Sequence, residues 1–429
     1  MAALRRHLLP FLFVLYLVAY LDRVNISFAA AGVSHSLGLN SASYGVAAGI
    51  FFVGYVLFEV PSNLILQRVG ARRWISRILI SWGVVAVLMA FMTSVQQFNL
   101  LRLLLGVAEA GFFPGIILFL SQWVPRQQLV RTLAGFLLAL PVAGLLGGPI
   151  SAALLSLHQL FGLEGWRWLF LLEGLPAILL AFAVWRWLPN HPGEARWLPV
   201  ADAEALEQVL QRERQQRQEA GGQIHGLRAM LRDPRMALLC LLYMGMSTGL
   251  YGFSFWIPRF VTDALAPAEP TPMLVNLLSA IPYGLAVLSM VLVGRFADHH
   301  VDRRWTVALP LAVAASALML ALPLGGLPRL ALISLATAAG FACLGPAWSM
   351  PLQFLGGDAA AGGIATINSV GNIGGFLAPI AMGRLMLLPH GETLALAALA
   401  AVLALSACLA VPVALAAMGG GPLSGATTR

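Results

Sequence analysis

The chain has no lysine, and charged residues of any kind fill only 10% of its 429 positions. A soluble domain carries about 25%, so a water-exposed globular surface is excluded for most of the chain. Cysteine is as scarce. Cys240, Cys343 and Cys408 each sit alone in an apolar run, which leaves neither a disulfide framework nor metal-ligand spacing. His35, His158, His299, His300 and His390 fall in predicted loops, also without metal spacing. No Walker loop, GxSxG elbow or Cys-rich motif occurs, which disfavours an ATP-driven pump. What the chain does have is apolar length: 59% of its residues are hydrophobic and the mean hydropathy is +0.83. All 26 basic residues are arginines, and the net charge is +8. In a soluble protein that balance would fit nucleic acid. Here most of the arginines flank hydrophobic runs and read as topology signals instead.

Crossing about 30 Å of hydrocarbon takes about 20 residues as a helix. Twelve such runs can be laid along the chain, at 8–30, 44–66, 75–95, 98–120, 131–155, 167–188, 236–262, 273–295, 305–325, 328–353, 362–387 and 392–416. The expected fold is therefore an all-α membrane protein. Arg5 and Arg6 before an apolar core resemble a signal peptide, but the eleven later runs and the charged Asp22-Arg23 pair argue that the first run is retained. With the N-terminus inside, the cytoplasmic connections collect Arg68, Arg72, Arg73, Arg77, Arg126, Arg131, Arg295, Arg303 and Arg304. The outer connections hold only a few, such as Arg167, Arg329 and Arg384. The positive-inside rule then puts both termini in the cytoplasm. One long polar stretch, 189–235, contains the helical pattern AEALEQVLQRERQQRQ and reads as a cytoplasmic linker. It divides the chain into a six-helix unit at 1–188, a second at 236–416 and a tail at 417–429.

Four ionisable residues stand inside these runs: Asp22 and Arg23 in the first, Arg102 and Glu109 in the fourth. A charge at the bilayer centre costs roughly 3 kcal/mol by insertion scales, so each needs a wet cavity, a partner or a charged ligand. Arg23 and Arg102 both count to the outer half of their runs, and two guanidiniums at similar depth form a trap for carboxylates, whose geometry the planar fork matches. Glu109 follows Arg102 by almost two turns, about 10 Å along one helix face. Desolvation penalises the charged form of a carboxyl group, which gives Glu109 and Asp22 the means to take up a proton. The residues alone are also consistent with static ion pairs that set helix register. In the second half, Tyr251 and Asn372 are the best polar candidates, with Asn368 as the rival of Asn372 and with Trp348 and Ser349 below them. Glu59 is expected to bond to basic loops at its end of the bundle, and Glu173 to pair with Arg167 or another helix.

An internal repeat supports the division into halves. NLILQRVGARRW (Asn63 to Trp74) follows the second run and GRFADHHVDRRW (Gly294 to Trp305) the eighth, while GLLGGP in the fifth run matches GNIGGF in the eleventh. Glycines so spaced let helices approach closely, and repeated halves meeting at a central site are the architecture of a secondary transporter. The doubled loop resembles that of the major facilitator superfamily. YLDRVNIS, GYVLFEVPSNLI, RLLLGVAEAGFFPG and FWIP resemble its anion:cation symporter family, in particular the tartrate, phthalate and aromatic-acid permeases. Asn63 and Gln67 depart from that pattern, which usually has Gly and Asp there.

The resemblance implies two pseudo-symmetric six-helix bundles with twelve transmembrane helices. It implies that Arg23 and Arg102 bind the anion beside Tyr20, and that Asp22 and Glu109 couple it to protons. The expected protein is an inner-membrane monomer, not an enzyme, whose partners are a small organic anion, a proton and the lipid bilayer. It takes no nucleic acid and no cofactor, and a proton gradient drives it. A proton-driven drug exporter of the same superfamily is the alternative.

Overall fold

Inside a bilayer no water satisfies backbone groups, so a chain of this composition has to pair them within each segment as helices. The computed structural model describes residues 2–219, 232–266, 268–299, 303–351, 355 and 357–418. The first half contains α1 (Ala2–Leu37), α2 (Ser41–Val69), α3 (Ala71–Met89), α4 (Val95–Glu109), α5 (Phe112–Trp123), α6 (Arg126–Leu137), α7 (Ala139–Leu155) and α8 (Gly165–Trp187). The linker helix is α9 (Val200–Glu219). The second half contains α10 (Pro234–Ser254), α11 (Ile257–Leu265), α12 (Pro272–Leu278), α13 (Ala280–His299), α14 (Arg303–Ala321), α15 (Gly326–Ala342), α16 (Leu344–Ser349), α17 (Gly357–Leu385) and α18 (Gly391–Met418).

Among the described residues ten helical segments are long and apolar enough to cross a membrane. The expected third crossing is α3, whose first turns carry Arg72, Arg73 and Arg77, and the expected ninth is the shorter apolar helix Trp305–Ala321. Five crossings expected to be continuous are broken in two: α4/α5, α6/α7, α10/α11, α12/α13 and α15/α16. Each break lies one turn ahead of a proline, namely Pro114, Pro141, Pro258, Pro282 and Pro346. Proline lacks the N–H and crowds the preceding turn, so the helix yields there. At the first break Gly111 takes φ +84, and Ser62 donates its hydroxyl to the freed Ala110 carbonyl at 2.7 Å. A freed backbone group at such depth survives only with a partner of this kind.

Helix ends are set by local chemistry. Asn40 and Ser43 form a reciprocal capping box at the start of α2, worth about 1 kcal/mol. Gly70, at φ +92, turns α2 into α3. Arg72 then reaches from the first repeated loop to the start of the linker, donating to the Leu188 carbonyl at 2.6 Å and pairing with Glu194 at 2.5 Å. The second copy of that loop includes residues 300–302, which lie outside the described residues, as do the side chains of Asp298 and Ser349.

Within the first half α1 packs on α7 and α8, α3 on α8, and α2 on α4; within the second, α14 packs on α18, α10 on α17, and α13 on α15. The halves meet chiefly where α2 crosses α17 and where α7 crosses α12 and α13. The α7 crossing and the first turns of α2 lie toward the end of the bundle away from the chain termini, where glycine makes close approach possible, and α2 stays against α17 as far as Glu59. A Cβ on Gly45 would strike the Pro379 carbonyl, one on Gly383 the Ser41 carbonyl, and one on Gly148 the Asn276 carbonyl. The far end is thereby closed by backbone-to-backbone contact.

Candidate functional site

The α4/α5 break places Glu109 at the last turn of α4, facing α1. There its Oε1 accepts a charge-assisted hydrogen bond from Nη2 of Arg23, both side chains being buried. The other Arg23 terminal nitrogen, Nη1, donates to the Tyr251 hydroxyl on α10 at 2.8 Å. One guanidinium thus ties two helices of the first half to one of the second. Its Cζ stands 5.3 Å from the Phe51 centroid and 5.1 Å from that of Tyr55, two rings a turn apart on α2. Its Nε has no partner.

A small cavity opens from Arg23 toward the end that holds the chain termini, lined also by Tyr16, Tyr55, Tyr251, Asn368, Phe113 and Trp348. Aromatic rings narrow its floor. Trp348 meets Phe113 of the first half at 5.2 Å and Tyr243 of the second at 4.7 Å, and Phe113 stacks on Tyr16 at 5.3 Å. The cavity is a small chamber between the glycine contacts of the far end and these side chains.

The remaining expected residues are placed as follows. Arg102 is fully buried, and its guanidinium stands 4.9 Å from the same Phe51 ring, but it donates to the carbonyls of Ala47 and Ala48 at 3.2 Å each and does not line the cavity. Its Nη1 is unpartnered. Asp22 faces away from Arg23 and accepts from the Trp82 indole on α3 and from Asn25. Tyr20 shares a hydrogen bond of 3.1 Å with Ser254 across the two halves. Asn372 is buried on α17 but is not among the residues lining the cavity, whereas Asn368, one turn earlier, is.

Two expectations are corrected. Glu59 does not reach the basic loops: it is wholly buried, and its two carboxyl oxygens accept from Asn368 and Ser369 of α17. Arg167 does not pair with Glu173 but with Glu164 at 3.2 Å, and with the carbonyls of Ala90 and Met92. Glu173 is buried and meets the other alternative, its polar neighbours being Asn25 of α1 and Ser151 of α7. Sequence reasoning also missed Phe51, Tyr55 and Tyr16. A signal for them existed: Phe51, Tyr55 and Glu59 recur every four residues, one stripe of α2, and Tyr16 precedes Arg23 by two turns on one face of α1.

Chemically the chamber offers a desolvated guanidinium, a carboxyl group that competes for it, and a hydroxyl from the opposite half. Among the described lining residues no nucleophile is paired with a base.

The sequence profile described as Major Facilitator Superfamily matches residues 12–379. An Agrobacterium vitis protein provisionally named a tartrate transporter is 44% identical over 378 residues, covering 88% of this chain and 82% of that one. A quinolone resistance transporter of Acinetobacter baumannii is 37% identical over 382 residues, covering 88% and 86%. Among solved structures, the proton:xylose symporter XylE bound to 6-bromo-6-deoxy-D-glucose superposes with a TM-score of 0.75 at 15% identity, covering 95% of this chain and 94% of that one. That likeness establishes the fold. With the all-helical bundle and the matched profile, the chain belongs to the major facilitator superfamily and is a multi-pass membrane transporter rather than an enzyme.

Proposed function

We propose that this transporter carries a small organic carboxylate into a bacterial cell together with protons, by alternating access, with both termini in the cytoplasm of the inner membrane. The observation that carries the reading is the Arg23 guanidinium, which lines the chamber while Glu109 holds one side of its fork. When Glu109 takes a proton it loses its charge, and a substrate carboxylate replaces it on Arg23, gaining through Nη2 and the unpartnered Nε the bidentate geometry that guanidinium favours. Proton and anion then travel together. On the less acidic side Glu109 gives up the proton, regains Arg23 and displaces the anion. Arg102, tied to α2 with one nitrogen spare, is the second anchor when the far end opens, which suits a di-acid. Asp22 is the second group for the proton, and Tyr20, Tyr251 and Asn372 supply neutral contacts.

In this orientation the glycine crossings are the outer gate, and Trp348, Phe113, Tyr243 and Tyr16 form the inner one. The plug is the thinner barrier, so release to the cytoplasm needs only side-chain rotation and a small separation of α6 from α16. The relative named for tartrate supports the carboxylate, and the relative named for quinolone resistance keeps export as the competing reading.

Reconstitution in lipid vesicles separates the two. Radiolabelled tartrate and phthalate should accumulate saturably under an acid-outside gradient, compete with each other, and ignore neutral sugars. Saturable efflux of a cationic dye, with no uptake of any organic acid, would overturn the symport reading in favour of export.

A further inference from the structure

Among the described residues Glu59 of α2 is the one buried carboxyl group that bonds across the two halves. Its Oε1 accepts from Nδ2 of Asn368 and its Oε2 from the Ser369 hydroxyl, both on α17. Glu59 is fully buried, Asn368 is 2% exposed and Ser369 6%. Burying a carboxyl group is costly, and apolar side chains would hold α2 against α17 without that cost. Binding of an anion at Arg23 gives this contact no task.

The Asn368 amide supplies one. An amide has a donor end and an acceptor end. The Glu59 oxygen it meets is an acceptor, so the donor end is held there, and turning the amide over would set oxygen against oxygen. The acceptor end, Oδ1, is left pointing elsewhere. It takes no hydrogen bond from a described residue, yet it is not sealed off like the partnerless Oδ1 atoms of Asn25 and Asn63. It therefore opens on free space, and the free space that Asn368 lines is the chamber beside Arg23.

The other polar groups of the chamber have a different character. Arg23 only donates, and its Nε is unpartnered. The Tyr55 hydroxyl, one turn before Glu59, is also buried without a partner in the chamber wall. A hydroxyl serves a donor or an acceptor alike, whereas Asn368 Oδ1 can only accept. A ligand whose carboxylate sits on Arg23 answers that oxygen only if it also carries a donor. In a small organic acid that has lost its carboxyl protons, the donor is a hydroxyl group.

We propose that Glu59 is a positioning residue for substrate selection: it fixes the Asn368 amide with its oxygen toward the chamber, and the site thereby prefers hydroxylated carboxylates to acids of the same skeleton without hydroxyl groups. The preference rests on the reading of Arg23 as the anion site; the orientation of the amide does not. Glu59 itself touches no ligand. In Glu59→Gln the new side chain can donate as well as accept, so the amide is free to turn over and the preference goes.

Competition against radiolabelled tartrate bound to the full chain in lipid nanodiscs tests this with unlabelled tartrate and succinate, di-acids of one carbon skeleton that differ in their hydroxyl groups alone. In wild type succinate should compete about tenfold more weakly, because it leaves a buried acceptor unanswered. In Glu59→Gln that ratio should shrink to about twofold, chiefly through loss of tartrate affinity, and Glu59→Asp, which keeps an acceptor, should retain part of it. Asn368→Leu, which removes the amide, should erase the ratio as well. Equal competition by the two acids in wild type overturns the proposal without any variant. An unchanged ratio in Glu59→Gln, whether or not both affinities weaken together, makes Glu59 a structural tie between the halves and overturns it too. A chain that binds neither acid removes the anion reading together with this one, whereas a tartrate preference without proton-linked uptake contradicts symport alone.

Discussion

The two halves of this transporter share a fold and divide its chemistry. Among the described residues every buried charged side chain lies in the first half: Asp22, Arg23, Glu59, Arg102, Glu109 and Glu173. The second half buries only neutral polar groups, such as Ser254, Asn368, Ser369 and Asn372, beside Tyr251. Two contacts between halves pair one kind with the other, Arg23 with Tyr251 and Glu59 with Asn368 and Ser369, and a third, Tyr20 with Ser254, is neutral on both sides. Charge-to-neutral hydrogen bonds suit parts that must separate and rejoin. An ion pair across a moving interface would leave two uncompensated buried charges at each opening, whereas losing a neutral partner costs far less. The first half thus keeps its ion pairs to itself, and the second half serves as a detachable wall.

That comparison can be broken by changing either side of it. The largest effect is expected from Arg23→Lys, which keeps the charge but loses the fork; substrate affinity measured by uptake competition should fall about 100-fold or more, two charge-assisted hydrogen bonds being worth roughly 3 kcal/mol together. Affinity like that of wild type would remove Arg23 from the anion site. Next comes Asn368→Asp, which puts a carboxylate of the neutral half against Glu59. Two like charges about 4 Å apart repel by up to about 4 kcal/mol at an effective dielectric of 20, so transport should drop at least thirtyfold, and adding Glu59→Gln should restore most of it. No restoration would mean that the two sites do not communicate. Tyr251→Phe removes one neutral partner of Arg23 and should weaken substrate binding about tenfold without abolishing proton coupling, as read by the alkalinisation that accompanies uptake. The smallest change is expected from Trp348→Ala. It thins the inner plug and should raise the exchange rate a fewfold with affinity unchanged, so a large affinity loss would make Trp348 a ligand contact rather than a gate.

Much of this asymmetry is visible in the sequence, because a charge in an apolar run announces itself. Asp22, Arg23, Arg102 and Glu109 stand out that way, and Glu59 and Glu173 are visible by the same rule. Their partners are not. Arg102 is held by the carbonyls of Ala47 and Ala48, and a backbone acceptor leaves no mark on residue identity. Glu59 bonds to Asn368 and Ser369, some three hundred residues away, at a helix crossing that no local pattern encodes. Counting residues along straight helices places Arg23 and Arg102 at similar depth but does not say which of them faces the chamber. That depends on where α4 breaks, and the Gly111 and Pro114 pair that breaks it sits unremarked within the run expected at 98–120. Asn368 and Asn372 lie on one face of α17, one turn apart, so sequence alone left the choice between them open.

The central claim is that Glu109 and the substrate carboxylate compete for one guanidinium. Binding of tartrate or phthalate to the purified protein, measured calorimetrically across a pH series, tests it most directly. If protonation of Glu109 is required for binding, wild-type affinity should fall about tenfold per pH unit above the point where Glu109 ionises. In Glu109→Gln, which cannot reclaim Arg23, affinity should be at least as tight and lose most of that pH dependence. The same slope in both proteins, or weaker binding by Glu109→Gln at every pH, would contradict the account.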